Sequence, residues 1–146
     1  MSAPIPRLAE VLGNVGGRDR LKKATDVEIV VQMKLPNAHL AVIDREKITE
    51  YLLNPAHPDN GGKAAFFQAQ GFHRDAWQTL ADSLRKHAAA GQVTEAMESL
   101  HGHKYILEAR IETPSGEMPW VRTVWIVDRG LDAPRLVTAY PREEDV

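Results

Sequence analysis

Two runs of strand-forming residues, VRTVWIV and RLVTAY, are separated only by the segment DRGLDAP within residues 121–141. Both runs are rich in β-branched and aromatic residues, and the Gly- and Pro-containing segment between them is typical of a turn. The preceding run KYILEARIET alternates apolar and charged residues, and the turn PSGE joins it to MPWVRTVWIV. The pattern predicts an antiparallel meander whose central strand is MPWVRTVWIV, because that run is apolar on both sides.

Helical patterns precede these strands. Asp44 is a good N-cap for REKITEYLLN, which must stop before Pro55, and KAAFFQAQ is a short helix that ends at Gly71. The longest predicted helix spans residues 74–90, since its apolar positions 77, 80, 81, 84 and 88 form one stripe and Gly91 is a natural C-cap. QVTEAMESL is ambiguous between strand and helix. The predicted fold is α+β, with N-terminal helices packed on one face of a three- to four-stranded antiparallel sheet and the other face open.

The bulk composition fits one globular domain. The chain has 146 residues, 43% of them apolar and 26% charged, and a net charge of −2, so nucleic-acid binding would need a local basic patch. It contains no cysteine, which excludes disulfides, Cys-based zinc sites and thiol catalysis. We expect no transmembrane helix and no signal peptide. Residues 1–33 are predicted to be an extension or linker, residues 34–141 a single catalytic-like domain, and residues 142–146 an acidic tail.

The two last strands carry a cluster of polar residues. With period 2, Arg122 and Thr123 face opposite sides of the sheet. On the last strand we expect Leu136, Thr138 and Tyr140 to share the open face, opposite the side taken by Val137 and Ala139. A planar guanidinium beside a Tyr and a Thr can bind a phosphate. The alternative is an ordinary solvated sheet face, where Thr, Tyr and Arg are common.

Other candidate groups lie on loops and helix ends. Lys63 opens a helix after HPDNGG, where it can hold an anion or simply be solvated, and His57 lies on the same loop. For His73 and His87, at the two ends of the longest helix, a structural role is favoured. His101 and His103 have a spacing that can share a metal, but their turn-like context argues against it. We expect no metal site and no cofactor, because no dinucleotide loop or HExxH motif is present.

Several segments carry a resemblance to a known family: LPNAHLAVIDREKITEYLLNPAHP, GKAAFF, GHKYIL, VRTVWIV and PRLVTAYP. Together, over about residues 34–141, they resemble a bacterial domain-of-unknown-function family found at the C-termini of toxin-like proteins. The order of elements also resembles the barnase, colicin and RelE-like ribonucleases, whose active groups lie on the open sheet face and nearby helix ends. This resemblance implies a catalytic set of Lys63, Arg122, Thr138, Tyr140 and His57, with Thr123, His87 and Lys104 binding substrate.

The function implied is a toxin-type, metal-independent endoribonuclease. In such an enzyme the 2′-OH attacks its own phosphate and a 2′,3′-cyclic phosphate is left. Expected partners are RNA, with tRNA as one candidate, and a cognate immunity or antitoxin protein; no membrane partner is expected. The expected site of action is the cytoplasm, and delivery as the C-terminal part of a secreted toxin is compatible with it. The alternatives are a non-enzymatic partner-binding module that uses Tyr140, Trp120 and Trp125, or a toxin that acts on a nucleotide cofactor.

Overall fold

The computed structural model describes residues 33–142. The predicted N-terminal extension and acidic tail therefore lie outside the described residues, apart from Met33 and Arg142. Within this part of the chain no helix is both long and apolar enough to cross a membrane.

Helical segments come first and strands follow. The helical part holds a 3₁₀ turn, a π-helix, helix α1, a second 3₁₀ turn and helix α2, at Ala38–Leu40, Lys47–Leu52, Lys63–Ala69, Arg74–Ala76 and Trp77–Ala90. Four strands follow, β1 (Gln92–Ser99), β2 (Gly102–Arg110), β3 (Trp120–Asp128) and β4 (Pro134–Pro141). The predicted α+β class is confirmed.

The sheet is an antiparallel meander in the order β1-β2-β3-β4, so β3 is internal, as predicted. The segment QVTEAMESL, whose pattern was ambiguous between strand and helix, forms the edge strand β1 over Gln92–Ser99. A tight turn joins β1 to β2 at Gly102, where φ is +148°. A Cβ at this position would lie 2.1 Å from the carbonyl oxygen of Val127, so only glycine lets β2 and β3 approach closely at their ends.

The core lies between the helices and one face of the sheet. The stripe of α2 is buried through Leu80, Ala81, Leu84 and Ala88, and it joins a cluster with Trp125 and other sheet residues. Gly91 caps α2, with its N–H 2.7 Å from the His87 carbonyl. Its backbone is not in the left-handed conformation usual for such a cap, since φ is −66°. The lack of a side chain matters for packing instead, because a Cβ at this position would lie 3.2 Å from the Leu107 side chain.

A bulge in β4 changes which residues face the core. Val124 pairs with Thr138 but Trp125 pairs with Leu136, which leaves Val137 as the extra residue. Leu136 is therefore 1% exposed and lies on the helix-covered side with Ala139. The prediction that Leu136 shares the face of Thr138 and Tyr140 was wrong, because strict alternation breaks at the bulge.

The first helix also differs from its pattern. Residues Lys47–Leu52 form a π-helix, closed by a hydrogen bond from the Leu53 N–H to the Ile48 carbonyl at 2.8 Å. The wider turn buries Ile48, Leu52 and Leu53 completely and leaves Tyr51 partly exposed toward β4. Such helices are rare and occur frequently at functional sites.

Candidate functional site

Arg122 stands at the centre of the sheet face that α2 does not cover. It lies directly between Glu108 on β2 and Tyr140 on β4. Its Nε and Nη2 both donate to Glu108 Oε2, at 3.1 and 2.7 Å, and its guanidinium carbon is 6.0 Å from the centroid of the Tyr140 ring. The carboxylate of Glu108, followed by Tyr140, raises the pKa of Arg122, so this cation is permanent and held in one orientation.

Lys63 approaches the same ring from helix α1. Two glycines with left-handed backbone, Gly61 and Gly62, turn the chain into this helix. The ammonium of Lys63 donates to the Asn60 carbonyl at 3.2 Å and lies 5.8 Å from the Tyr140 ring and 5.5 Å from the Tyr51 ring. Two cations, from α1 and from β3, therefore converge on Tyr140.

Tyr51 links the π-helix to the last strand. Its hydroxyl lies 3.3 Å from Thr138 Oγ1, although the two residues are 87 positions apart in sequence. Burial by itself would raise the pKa of the Tyr51 phenol, but hydrogen bonding with Thr138 and Lys63 and the nearby charges of Lys63 and Lys47 outweigh it and lower the pKa. Because of the lowered pKa, a larger fraction of this phenol is ionised at a given pH than of an exposed tyrosine.

His57 packs against Tyr51. The two rings meet edge to face, with centroids 5.0 Å apart and planes at 84°. Its Nδ1 accepts a hydrogen bond from the Asp59 backbone N–H at 3.1 Å, so a neutral His57 carries its proton on Nε2. A groove of about 380 Å³ opens beside both rings, and its other lining residues are Asp44, Glu46, Lys47, Glu50 and Arg135.

Asn60 holds these groups in place. It is 3% exposed, and its side-chain Nδ2 donates to the Tyr51 carbonyl at 2.5 Å while its Oδ1 accepts from the Ala64 N–H at 2.8 Å. The loop that carries His57 is thereby fastened to the π-helix and to α1. Tyr51 and Asn60 were both missed in the sequence, where Tyr51 reads as part of a core-facing helix stripe and Asn60 as an ordinary turn residue.

The array continues past Arg122 to the start of β3. Trp120 is 37% exposed and lies beneath two guanidiniums, with the Arg142 carbon 4.3 Å and the Arg110 carbon 5.3 Å from its ring. Arg142 also reaches Glu108 Oε1 at 3.5 Å. We call the whole set the cation–aromatic strip: Tyr51, Lys63, Glu108, Arg110, Trp120, Arg122, Tyr140 and Arg142. The strip thus contains four cations and one carboxylate, and two of the cations, Arg122 and Arg142, contact that carboxylate.

The structure therefore gathers five of the predicted site residues in one place. Lys63, Arg122 and Tyr140 belong to the strip, and Thr138 and His57 contact Tyr51. Lys104 shares this sheet face but pairs with Ile126. It is four residues along β2 from Glu108, roughly 13 Å away.

Thr123 and His87 lie on the opposite, buried side of the sheet. They are 0% and 2% exposed. The Trp125 indole N–H donates to Thr123 Oγ1 at 2.8 Å, Thr123 Oγ1 lies 3.3 Å from His87 Nδ1, and His87 Nε2 lies 2.8 Å from the Val121 carbonyl. Burial lowers the pKa of His87, which is consistent with a neutral ring that donates to Val121 and accepts from Thr123. This network fastens α2 to β3, and we leave both residues out of the candidate site.

The remaining histidines lie elsewhere. His103 Nε2 is 3.3 Å from Glu98 Oε1 near the β1–β2 turn, and His73 precedes the 3₁₀ turn before α2. Among residues 33–142 no three His, Cys, Asp or Glu side chains are grouped as ligands for a metal ion.

The fold and this strip define an α+β domain with one face of an antiparallel meander covered by helices and the other lined by cations and aromatic rings. Residues 34–143 match the family described as a domain of unknown function (DUF6883), and the chain belongs to that family.

Among solved structures the chain is similar to one from a contact-dependent growth inhibition toxin–immunity protein complex of Klebsiella pneumoniae 342. The two share 16% sequence identity with a TM-score of 0.59, over 69% of this chain and 99% of the other. At this identity the likeness shows a shared fold. No curated protein matches the chain.

Proposed function

We propose that the chain is a toxin-type endoribonuclease that needs no metal ion and cleaves RNA by attack of the 2′-OH on the adjacent phosphate. The observation that supports it best is the convergence of Lys63 and Arg122 on Tyr140, beside the hydrogen-bonded pair of Tyr51 and Thr138. The reaction requires a base for the 2′-OH, a cation for the charge that develops on the phosphate and an acid for the leaving 5′-oxygen; the fixed cations and a phenol of lowered pKa are suited to the first two roles.

The phosphate would be bound by Arg122 and Lys63. Glu108 takes two N–H donors of Arg122 and holds the guanidinium in place, which leaves its other donors for phosphate oxygens. Lys63 adds a second positive charge near the same ring. As charge develops on the phosphorane, both cations are already in position, so little reorganisation is needed at the moment of reaction.

Proton transfer falls to Tyr51 and His57 in this proposal. The Tyr51 phenolate accepts the proton of the 2′-OH, and Thr138 and Lys63 stabilise the phenolate. His57 acts as the acid from its imidazolium form, in which both ring nitrogens carry a proton: it donates one ring proton to the departing 5′-oxygen and becomes a neutral imidazole, which gives a 2′,3′-cyclic phosphate and a free 5′-OH. The ring of Tyr140 would pack against the ribose or stack on the base of the bound nucleotide, as aromatic side chains do in RNA-binding sites.

The biological setting is part of the same proposal. The structural relative comes from a complex of a growth-inhibition toxin with its immunity protein. We propose that this chain acts as a toxin on cytoplasmic RNA, that it is delivered as a C-terminal part of a secreted protein, and that a cognate protein neutralises it. An inhibitor of this kind would carry carboxylates against the cations of the strip.

A second candidate is a partner-binding module without catalysis. It is favoured by the pairing of Arg122 with Glu108, since a guanidinium already paired with a carboxylate attracts a phosphate less strongly, whereas arginine and aromatic residues are enriched at protein interfaces. In that case the strip would be an interface and no RNA would be cut.

The deciding experiment is incubation of the purified protein with total RNA and with tRNA in EDTA. Discrete fragments that end in 2′,3′-cyclic phosphate support the ribonuclease, and a substrate with 2′-deoxyribose at the cleaved position should resist. Tyr105→Phe, which changes a tyrosine outside the strip, is the matched control for Tyr51→Phe. Intact RNA after prolonged incubation with folded protein, with and without magnesium, would favour the binding module.

A further inference from the structure

The Trp120 end of the strip has no role in the chemistry proposed above. Trp120 is 37% exposed, whereas Trp125 on the same strand is fully buried. An exposed aromatic residue is unremarkable by itself. Here, however, two arginines lie against one indole: Arg110 at the end of β2, at 5.3 Å, and Arg142 immediately after β4, at 4.3 Å.

Contacts with the backbone and with Glu108 fix both arginines. Arg110 Nη1 donates to the Met118 carbonyl at 2.9 Å, and Arg142 Nη1 lies 3.5 Å from Glu108 Oε1. The Arg142 backbone N–H also donates to the Trp120 carbonyl at 3.0 Å. These contacts hold the two guanidinium groups over the indole ring, and we call the three side chains the Trp120 cluster.

The Trp120 cluster lies close to the proposed reaction site along the sheet. Trp120 and Arg122 are two residues apart on the same face of β3, roughly 6.6 Å. Tyr140 lies directly opposite Arg122. The face thus alternates an aromatic group, a phosphate-binding cation and a second aromatic group.

This order suits unpaired RNA. Single strands are bound by a cationic track with aromatic or guanidinium planes on which successive bases stack, whereas in a duplex the bases stack on each other and only the backbone and groove edges are accessible. We propose that Trp120 with Arg142 forms a second nucleotide subsite, which takes an unpaired nucleotide next to the scissile phosphate. The proposal rests on the ribonuclease function for its substrate, but it makes a claim about binding that can be tested without cleavage.

The test uses 2′-O-methyl RNA, whose blocked 2′-oxygen cannot attack the phosphate. Binding of a fluorescein-labelled single strand, and of the same strand annealed to its complement, is followed by anisotropy. The proteins are the parent, Trp120→Ala, Trp120→Phe and the control Leu100→Ala. Leu100 is 85% exposed in the β1–β2 turn at the other end of the sheet.

Trp120→Ala removes the ring on which a base would stack, so its affinity for the single strand should be roughly 5- to 150-fold lower than that of the parent. The affinities of Trp120→Phe and Leu100→Ala should stay near that of the parent. The parent should also bind the single strand more tightly than the duplex. Equal binding by the parent and Trp120→Ala, or a preference for the duplex, would overturn the subsite.

The same data separate the two proposals. Trp120-dependent binding by a protein that leaves natural RNA intact supports the subsite and counts against the ribonuclease. If the protein cleaves RNA and Trp120→Ala binds the single strand as tightly as the parent does, the ribonuclease is supported and the subsite is overturned.

Discussion

The hydroxyl of Tyr51 lies 3.3 Å from Thr138 Oγ1 and joins the π-helix to the last strand across 87 residues of sequence. Because the Lys63 ammonium and the His57 ring approach the same phenol, this contact places a titratable group beside the cations that would bind phosphate. The contact makes Tyr51 the residue whose removal tests the site most directly.

Replacing Tyr51 with Phe deletes only the hydroxyl. If the phenol is the general base, RNA cleavage should fall by roughly 10²–10⁴-fold while the fold is kept. The pKa of Tyr51 is lowered, so the cleavage rate of the parent should rise with pH until it passes that lowered value below 10, and this rise should vanish in Tyr51→Phe. The rate is measured on a fluorescent oligonucleotide, with circular dichroism to check the fold.

Arg122→Lys should fail to replace the native arginine. Lysine keeps the charge, but it lacks the planar fork with which Arg122 meets Glu108 through Nε and Nη2. We expect a loss of roughly 10²–10³-fold in cleavage, as for other fixed donors that stabilise a transition state. Arg85→Lys on α2, where the side chain pairs with Asp82 away from the strip, should keep full activity. Equal activity of both variants would remove Arg122 from the mechanism.

Tyr105→Phe should stabilise the protein. The Tyr105 hydroxyl is the one buried side-chain polar atom in residues 33–142 without a hydrogen-bond partner, and its burial raises its pKa. An unpaired buried polar group costs about 1–3 kcal/mol, so its removal should raise the free energy of unfolding by about 1 kcal/mol after the small packing loss. Urea unfolding followed by fluorescence measures this. A destabilisation of similar size would mean that the hydroxyl has a partner.

The buried His87 predicts a loss of stability in mild acid. Burial lowers its pKa below 6.5 in the folded state, despite hydrogen bonds to the Val121 and Ala109 carbonyls, so the unfolded chain takes up this proton first as the pH falls. Neutral His87 therefore contributes to the free energy of unfolding in full above pH 6.5, and this stability is lost as the pH drops from 6.5 toward the lowered pKa.

The measurement is urea unfolding at several pH values across this range. His87→Gln keeps a donor for the Val121 carbonyl and has no imidazole to titrate, so its free energy of unfolding should depend less on pH. His101→Gln, at an exposed turn, is the control and should follow the parent. An identical pH profile for His87→Gln and the parent would show that His87 does not titrate in this range.

Local pattern was sufficient for the order of elements and for part of the site. The 3.6-residue stripe of α2 and the alternation in β2 and β3 follow from which side chains avoid water. The short turn between β3 and β4 makes them neighbours, and alternation places Thr138 and Tyr140 on one face of β4. That this face is the one that carries Arg122 depends on the bulge at Val137, because the turn-side pairing of Trp125 with Leu136, continued without the bulge, would put Ala139 opposite Arg122.

Packing at long range decided the rest. Nothing in the sequence near Tyr51 specifies a π-helix or a contact with Thr138; both depend on how Ile48, Leu52 and Leu53 fill the core against the sheet. The pairing of Arg122 with Glu108 depends on the β2–β3 register, and the neutral state of His87 depends on burial beneath α2. The residues alone determined which groups were available and, within each uninterrupted stretch of strand, which face they share, because alternation is a local property of the backbone. Only the tertiary structure determined which of those groups meet and in what charge state, because these depend on distances and burial between segments far apart in the chain.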